Sequence, residues 1–216
     1  GELRYIQELS RDLLNLNKNL TVNDFKFMQK SYFERLEKLS AGKSYVTDKM
    51  PANFLYIPFI INAFPNARII HVHRDPRATC WSIFKHHFAE QGMGYAYNLA
   101  DLVLYYNAYI DVMDTWYANY PRQIIHLNYD SLTSSPEVEI KRLISALNLS
   151  WEERTLYPEK NTRYVKTASA MQVRKIIYKG SSLSWKNFEP FVNFAFESLD
   201  EFASTPRLEK INLNDA

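Results

Sequence analysis

A β-branched run of strand length, Arg68 to His73 (RIIHVH), passes directly into Arg74, Asp75 and Pro76, a cap residue and a first-turn proline that announce a helix. This handover constrains the chain more than any other feature, because an apolar strand feeding a helix is the opening of a βαβ unit. A second apolar run, Gln123 to Leu127 (QIIHL), follows a long aromatic helical stretch, Tyr97 to Tyr120, that Pro121 ends. A shorter strand candidate, Ser44 to Thr47, precedes both. Strands separated by helices imply parallel pairing through right-handed crossovers. The expected fold class is therefore α/β, with three layers in which helices flank a central parallel sheet. A single domain over residues 1–216 is expected, with no repeats and no linker.

Helical periodicity fills the intervals. Leu3, Ile6, Leu9, Leu13 and Leu14 predict a helix over Glu2 to Leu16, and Thr21 with Asp24 announces a second that buries Phe25, Met28, Tyr32, Leu36 and Leu39 until Gly42 stops it. Another helix is expected after Pro51. Ser135 and Pro136 open one that carries Val138, Ile140, Leu143, Ile144 and Leu147, and Ser181 to Phe202 reads as one or two terminal helices.

Composition removes several functions. With 26 basic and 24 acidic residues the net charge is +2, so no overall field points to nucleic acid or to an anionic membrane. The longest apolar run, Phe54 to Phe64, is too short to span a bilayer and contains Pro58. The start of the chain does not read as a signal peptide. A lone Cys80 allows no internal disulfide, which favours a reducing, cytoplasmic setting. Five glycines in 216 residues cannot form a glycine-rich phosphate cradle, and only Gly92 and Gly94 lie close together.

The segment His71 to Asp75 (HVHRD) admits three readings. A dinuclear HxHxDH metal motif would need histidine where Pro76 stands. A kinase catalytic loop would need asparagine where Cys80 stands, and neither DFG nor a glycine loop is present. The third reading is half of an anion site: Arg74 at a strand end beside a helix N-terminus, with Ser82 eight residues on. A surface Arg74 pairing Asp75 or Asp130 satisfies the same residues. Ala41 to Ser44 (AGKS) resembles the end of a Walker loop but closes a helix, so it is a turn.

Three segments in order are similar to the sulfotransferase superfamily, which uses 3′-phosphoadenosine 5′-phosphosulfate (PAPS). They are YVTDKMPANF (Tyr45 to Phe54), like the family's strand-end lysine segment; ARIIHVHRDPRATCWS (Ala67 to Ser82), like its 3′-phosphate motif; and QVRKIIYKGSSLSWKNF (Gln172 to Phe188). NYDSL (Asn128 to Leu132) resembles the YExL element whose tyrosine lies near adenine. The resemblance implies a P-loop-like fold and transfer of a sulfuryl group from PAPS to a hydroxyl or amine acceptor, with no metal. A first strand and a PxSGTT-type loop are expected upstream of Gly1, outside the 216 residues.

Residue by residue, the resemblance makes Lys49 the stabiliser of the leaving phosphate and Glu2, in GELR, the candidate general base. The cytosolic members' histidine position after the lysine holds Met50 and Pro51. Glu2 equally suits an acidic residue favouring a helix N-terminus. Arg74, Ser82, Lys179 and Gly180 are expected at the 3′-phosphate, and Tyr129 and Ser169 on the adenosine side. The acceptor, whether small molecule, carbohydrate or peptide, is not legible, nor is the oligomeric state. A P-loop-type nucleotide kinase and a non-catalytic nucleotide-binding relic are the alternatives.

Overall fold

Asp75 caps its helix as its position predicts. Its Oδ1 accepts the Ala78 N–H at 2.7 Å, and the helix Pro76–Phe84 starts at the proline. The computed structural model in which this is seen describes residues 2–40, 42–88, 92–161, 177 and 179–203. The chain divides into two compact units, Gly1–Arg68 with Asn161–Arg174, and Ile69–Lys160 with Lys175–Ala216.

In the first unit, helix α1 (Tyr5–Asn15) packs its Ile6, Leu9 and Leu13 against Met28, Tyr32 and Leu36 of α2 (Val22–Ser40). Tyr56, which ends a 3₁₀ helix (Pro51–Tyr56), and Ala63 of α3 (Ile57–Ala63) complete that core with Phe64. Asp24 accepts the Thr21 N–H at 2.8 Å, which supplies the start of α2. The Lys18 ammonium and the Thr21 hydroxyl hold the Asp24 carboxyl down at about 2. Two residues past α2, Gly42 takes a left-handed φ of 73°, the conformation that ends a helix at least cost in glycine.

Three expectations fail here. Leu14 is 56% exposed, since it lies about 100° around the helix from the inward Leu13, and Leu39, in the last turn of α2, is 49% exposed rather than buried. Ser44 to Thr47 forms no strand; Tyr45 and Val46 are exposed, and no described segment offers a ladder to pair with.

In the second unit, β1 (Ile69–His73) and β2 (Ile124–Asn128) pair in parallel, in the register Ile69↔Ile124 through His73↔Asn128. The connection between them runs through α4 (Pro76–Phe84) and α5 (Leu99–Asn119). Asn128 caps a short α6 (Tyr129–Ser134) that the sequence did not suggest, and α7 (Pro136–Ala146) follows. A 3₁₀ helix (Ser181–Phe188) leads into α8 (Glu189–Ala203). Ala78, Cys80 and Trp81 of α4, Leu102 and Val103 of α5, and Val192, Phe196 and Leu199 of α8 close around Trp185. Cys80 is fully buried, and burial pushes its thiol up to about 12, so it serves as core. Among the described residues no helix is long and apolar enough to cross a membrane.

The side chains of His71, His73 and His126 share one face of this sheet. The rings of His73 and His126 stack at 3.9 Å, while the Tyr117 and Tyr109 hydroxyls of α5 bond the two nitrogens of His71. Burial, reinforced by the neighbouring imidazoles, lowers His71 to about 3 and His73 to about 4; burial and then Arg142 lower His126.

Two consequences are measurable. Phe196 is fully enclosed and meets Trp185 edge-on at 5.9 Å, so Phe196→Ala is expected to cost about 3–5 kcal/mol in urea unfolding. The histidines bind protons in the unfolded chain near the ordinary value of 6.5, well before they do in the folded one. Their stabilising contribution is therefore whole above about pH 6.5 and drains away as pH falls toward 4, by up to about 1.4 kcal/mol per pH unit for each. Urea midpoints at pH 7 and pH 5 check this, and His73→Phe is expected to flatten the dependence.

Candidate functional site

The register of the parallel pair sets the site in the second unit. His73 and Asn128 are opposed, so the next residues of the two strands, Arg74 and Tyr129, emerge side by side at the same sheet end. The Arg74 guanidinium accordingly lies 4.9 Å from the Tyr129 ring centroid, a cation–π contact. From 108 residues away in sequence, Ser182 reaches the same group: Arg74 Nε donates to Ser182 Oγ at 2.7 Å and Nη2 donates to Ser181 Oγ at 3.1 Å. The Tyr129 hydroxyl lies 3.3 Å from Ser181 Oγ. Ser182 in turn donates to Asp130 Oδ1, and Asp130 Oδ2 accepts the Asp75 N–H at 3.3 Å. The Arg74–Asp130 pairing that the sequence allowed is thus relayed through a serine hydroxyl.

Gly180 makes this approach possible. It has φ 88° and stands at the N-cap of the 3₁₀ helix whose first two residues are the serines. A Cβ there would meet nothing within 4 Å, so the need for glycine is conformational rather than steric. Lys179 precedes it and is exposed.

Of the residues expected around the nucleotide, the structure thus gathers Arg74, Tyr129 and the backbone at Gly180 in one neighbourhood. Ser82 lies on the second turn of α4, half-buried, and no hydrogen bond among the described residues joins it to this network. Ser169 lies outside the described residues. Sequence reasoning missed Ser181 and Ser182 as partners of Arg74; the available signal was a pair of hydroxyls directly after Lys179 and Gly180.

Within the first unit, the two nominated catalytic groups meet each other. Lys49 Nζ forms a hydrogen-bonded ion pair with Glu2 Oε1, the side chains being 63% and 36% exposed. Asp48, the residue before Lys49, instead accepts the Tyr32 hydroxyl at 3.0 Å, and burial raises its carboxyl pKa. A pair this exposed adds little to stability. The strand histidines are committed to one another and to tyrosines, as above. Among the described residues no group of three or more His, Cys, Asp or Glu side chains is arranged to hold a metal ion.

Comparison with known proteins bears on the family and the fold. The chain is 37% identical to an uncharacterized protein of Aquifex aeolicus over 79% of its own length and 23% of that protein's. It is 28% identical to a putative protein-tyrosine sulfotransferase of Caenorhabditis briggsae, covering 72% of this chain and 56% of that one. Protein-tyrosine sulfotransferase 1 of Danio rerio is 24% identical over 61% of the chain and 37% of its own length. The chain therefore spans between about a quarter and three fifths of the length of these relatives. Among solved structures, the sulfotransferase domain from the curacin biosynthetic pathway superposes with a TM-score of 0.56 at 14% identity, covering 80% of this chain and 68% of that one, which shows a shared fold. The sequence model of the sulfotransferase family matches residues 9–153, two thirds of the chain. This protein belongs to the sulfotransferase family.

Proposed function

We propose that the protein takes part in transfer of a sulfuryl group from PAPS to a hydroxyl or amine acceptor. The observation that carries this reading is the meeting of Arg74, Tyr129 and the Gly180–Ser182 turn at one sheet end. A half-buried guanidinium there, beside the first turn of α4 and a tyrosine ring, fits a phosphomonoester next to a base. When bound, PAPS supplies an activated sulfuryl group whose leaving partner is a 5′-phosphate.

Arg74, with Lys179, Ser82 and the Gly180 backbone, holds the 3′-phosphate. Tyr129 and Ser169 line the adenosine side. In the first unit, Lys49 stabilises the negative charge that builds on the leaving oxygen as the bond from sulfur to that oxygen breaks. Glu2 takes the acceptor's proton as the new bond from sulfur to the acceptor oxygen forms. Their mutual ion pair gives each a defined position before either acts. No residue proposed here requires a metal. The worm and zebrafish relatives are named as protein-tyrosine sulfotransferases, which favours a peptide tyrosine as acceptor, and the lone, buried Cys80 suits a reducing compartment.

Thermal shift with adenosine 3′,5′-bisphosphate against ATP tests the donor class: stabilisation by the bisphosphate is expected, and stabilisation by ATP alone would redirect the reading to a kinase. Arg74→Ala is expected to weaken bisphosphate binding by about 2 kcal/mol or more, measured by titration calorimetry. With labelled PAPS and an acceptor panel, Lys49→Ala is expected to slow transfer by about a hundredfold, a larger effect than on bisphosphate affinity.

A further inference from the structure

We infer that Asp130 and Ser182 form a positioning relay that sets the aim of Arg74 and thereby confers selectivity for a 3′-phosphate. The inference rests on the proposed donor. Its physical content lies in how the hydrogens are allotted. Ser182 has one O–H, and that donor is committed to Asp130 Oδ1, so the hydroxyl oxygen turns its lone pairs toward Arg74 Nε, which donates to it at 2.7 Å. An ionised carboxylate accepts only, so the direction of this chain cannot reverse while Asp130 is charged.

Asp130 is itself held by a second bond, from the Asp75 N–H at 3.3 Å. Asp75 is the cap of α4, with its side chain on Ala78 N–H at 2.7 Å. The relay thus ties three separate pieces of chain, the β1 end, the start of α6 and the Gly180 turn, to one guanidinium edge. The Tyr129 ring covers the guanidinium at 4.9 Å.

Ser181 is placed differently. Its Oγ accepts from Arg74 Nη2 at 3.1 Å and has the Tyr129 hydroxyl as a neighbour at 3.3 Å, with no carboxylate among the described residues fixing its proton. An arriving anion can take over the Nη2 donor while the Ser181 hydroxyl turns to donate to that anion. The Nε edge stays anchored on Ser182 throughout. A fixed edge and an exchangeable edge let Arg74 present a directed fork rather than a swinging cation, and a directed fork is what distinguishes a phosphate at one ribose position from its absence.

The test compares two ligands, adenosine 3′,5′-bisphosphate and AMP, by titration calorimetry on the full chain. Wild type is expected to prefer the bisphosphate; equal affinity for both would overturn the donor assignment and this inference with it. Given that preference, Asp130→Ala and Ser182→Ala are each expected to weaken bisphosphate binding about tenfold while changing AMP binding less than about threefold, and the double variant is expected to lose little more than either single one, as members of one chain do. Ser181→Ala, which breaks the exchangeable edge alone, is expected to have the smaller effect. Equal loss for both ligands would mean that Asp130 merely supports the fold, and unchanged or improved bisphosphate binding in Asp130→Ala would mean that its charge opposes the anion; either outcome overturns the relay while leaving the donor assignment intact. Urea midpoints of the same variants separate lost folding from lost aim.

Discussion

The parallel ladder between β1 and β2 governs the second unit, because its register decides which residues leave the sheet together. With His73 opposite Asn128, the following positions are Arg74 and Tyr129, and their cation–π contact follows from backbone hydrogen bonding before any side chain is considered. A slip of β1 by one residue would turn His71 off the tyrosines of α5, part His73 from His126 and send Arg74 to the other face of the sheet. Packing resists that slip. His71 is held between Tyr109 and Tyr117, and the His73 and His126 rings stack face to face.

The two nominated functional regions are organised by different physics. Around Arg74, a half-buried cation is hemmed by hydroxyls and an aromatic face. Lys49 and Glu2 form an exposed ion pair near the start of their unit, in water-like surroundings where charge is available but weakly held.

Much of this was legible in advance. The strand from Arg68, the cap at Asp75, the proline at the start of α4, the aromatic α5 and the parallel pairing all follow from side-chain periodicity and cap chemistry, which act over a few residues. The resemblance to sulfotransferases rests on ordered motifs and agrees with the family match over residues 9–153. What misled was equally local. Ser44 to Thr47 has strand-like residues, but a strand exists only with a hydrogen-bonded neighbour, and Leu14 and Leu39 fit the apolar spacing yet turn to solvent.

The sequence by itself determined which positions carry charge, where strands hand over to helices and which family the chain resembles, since propensity, capping and motif order are properties of neighbouring residues. Only the tertiary structure decided that Arg74 is met by Ser181 and Ser182, that Asp130 is reached through a hydroxyl rather than directly, and that Lys49 chooses Glu2 over Asp48. The physical reason is distance along the chain. Hydrogen bonds across 108 or 47 residues depend on how whole elements pack, and a conformational choice such as the left-handed Gly180 can swing a hydroxyl onto a cation or away from it without changing any motif.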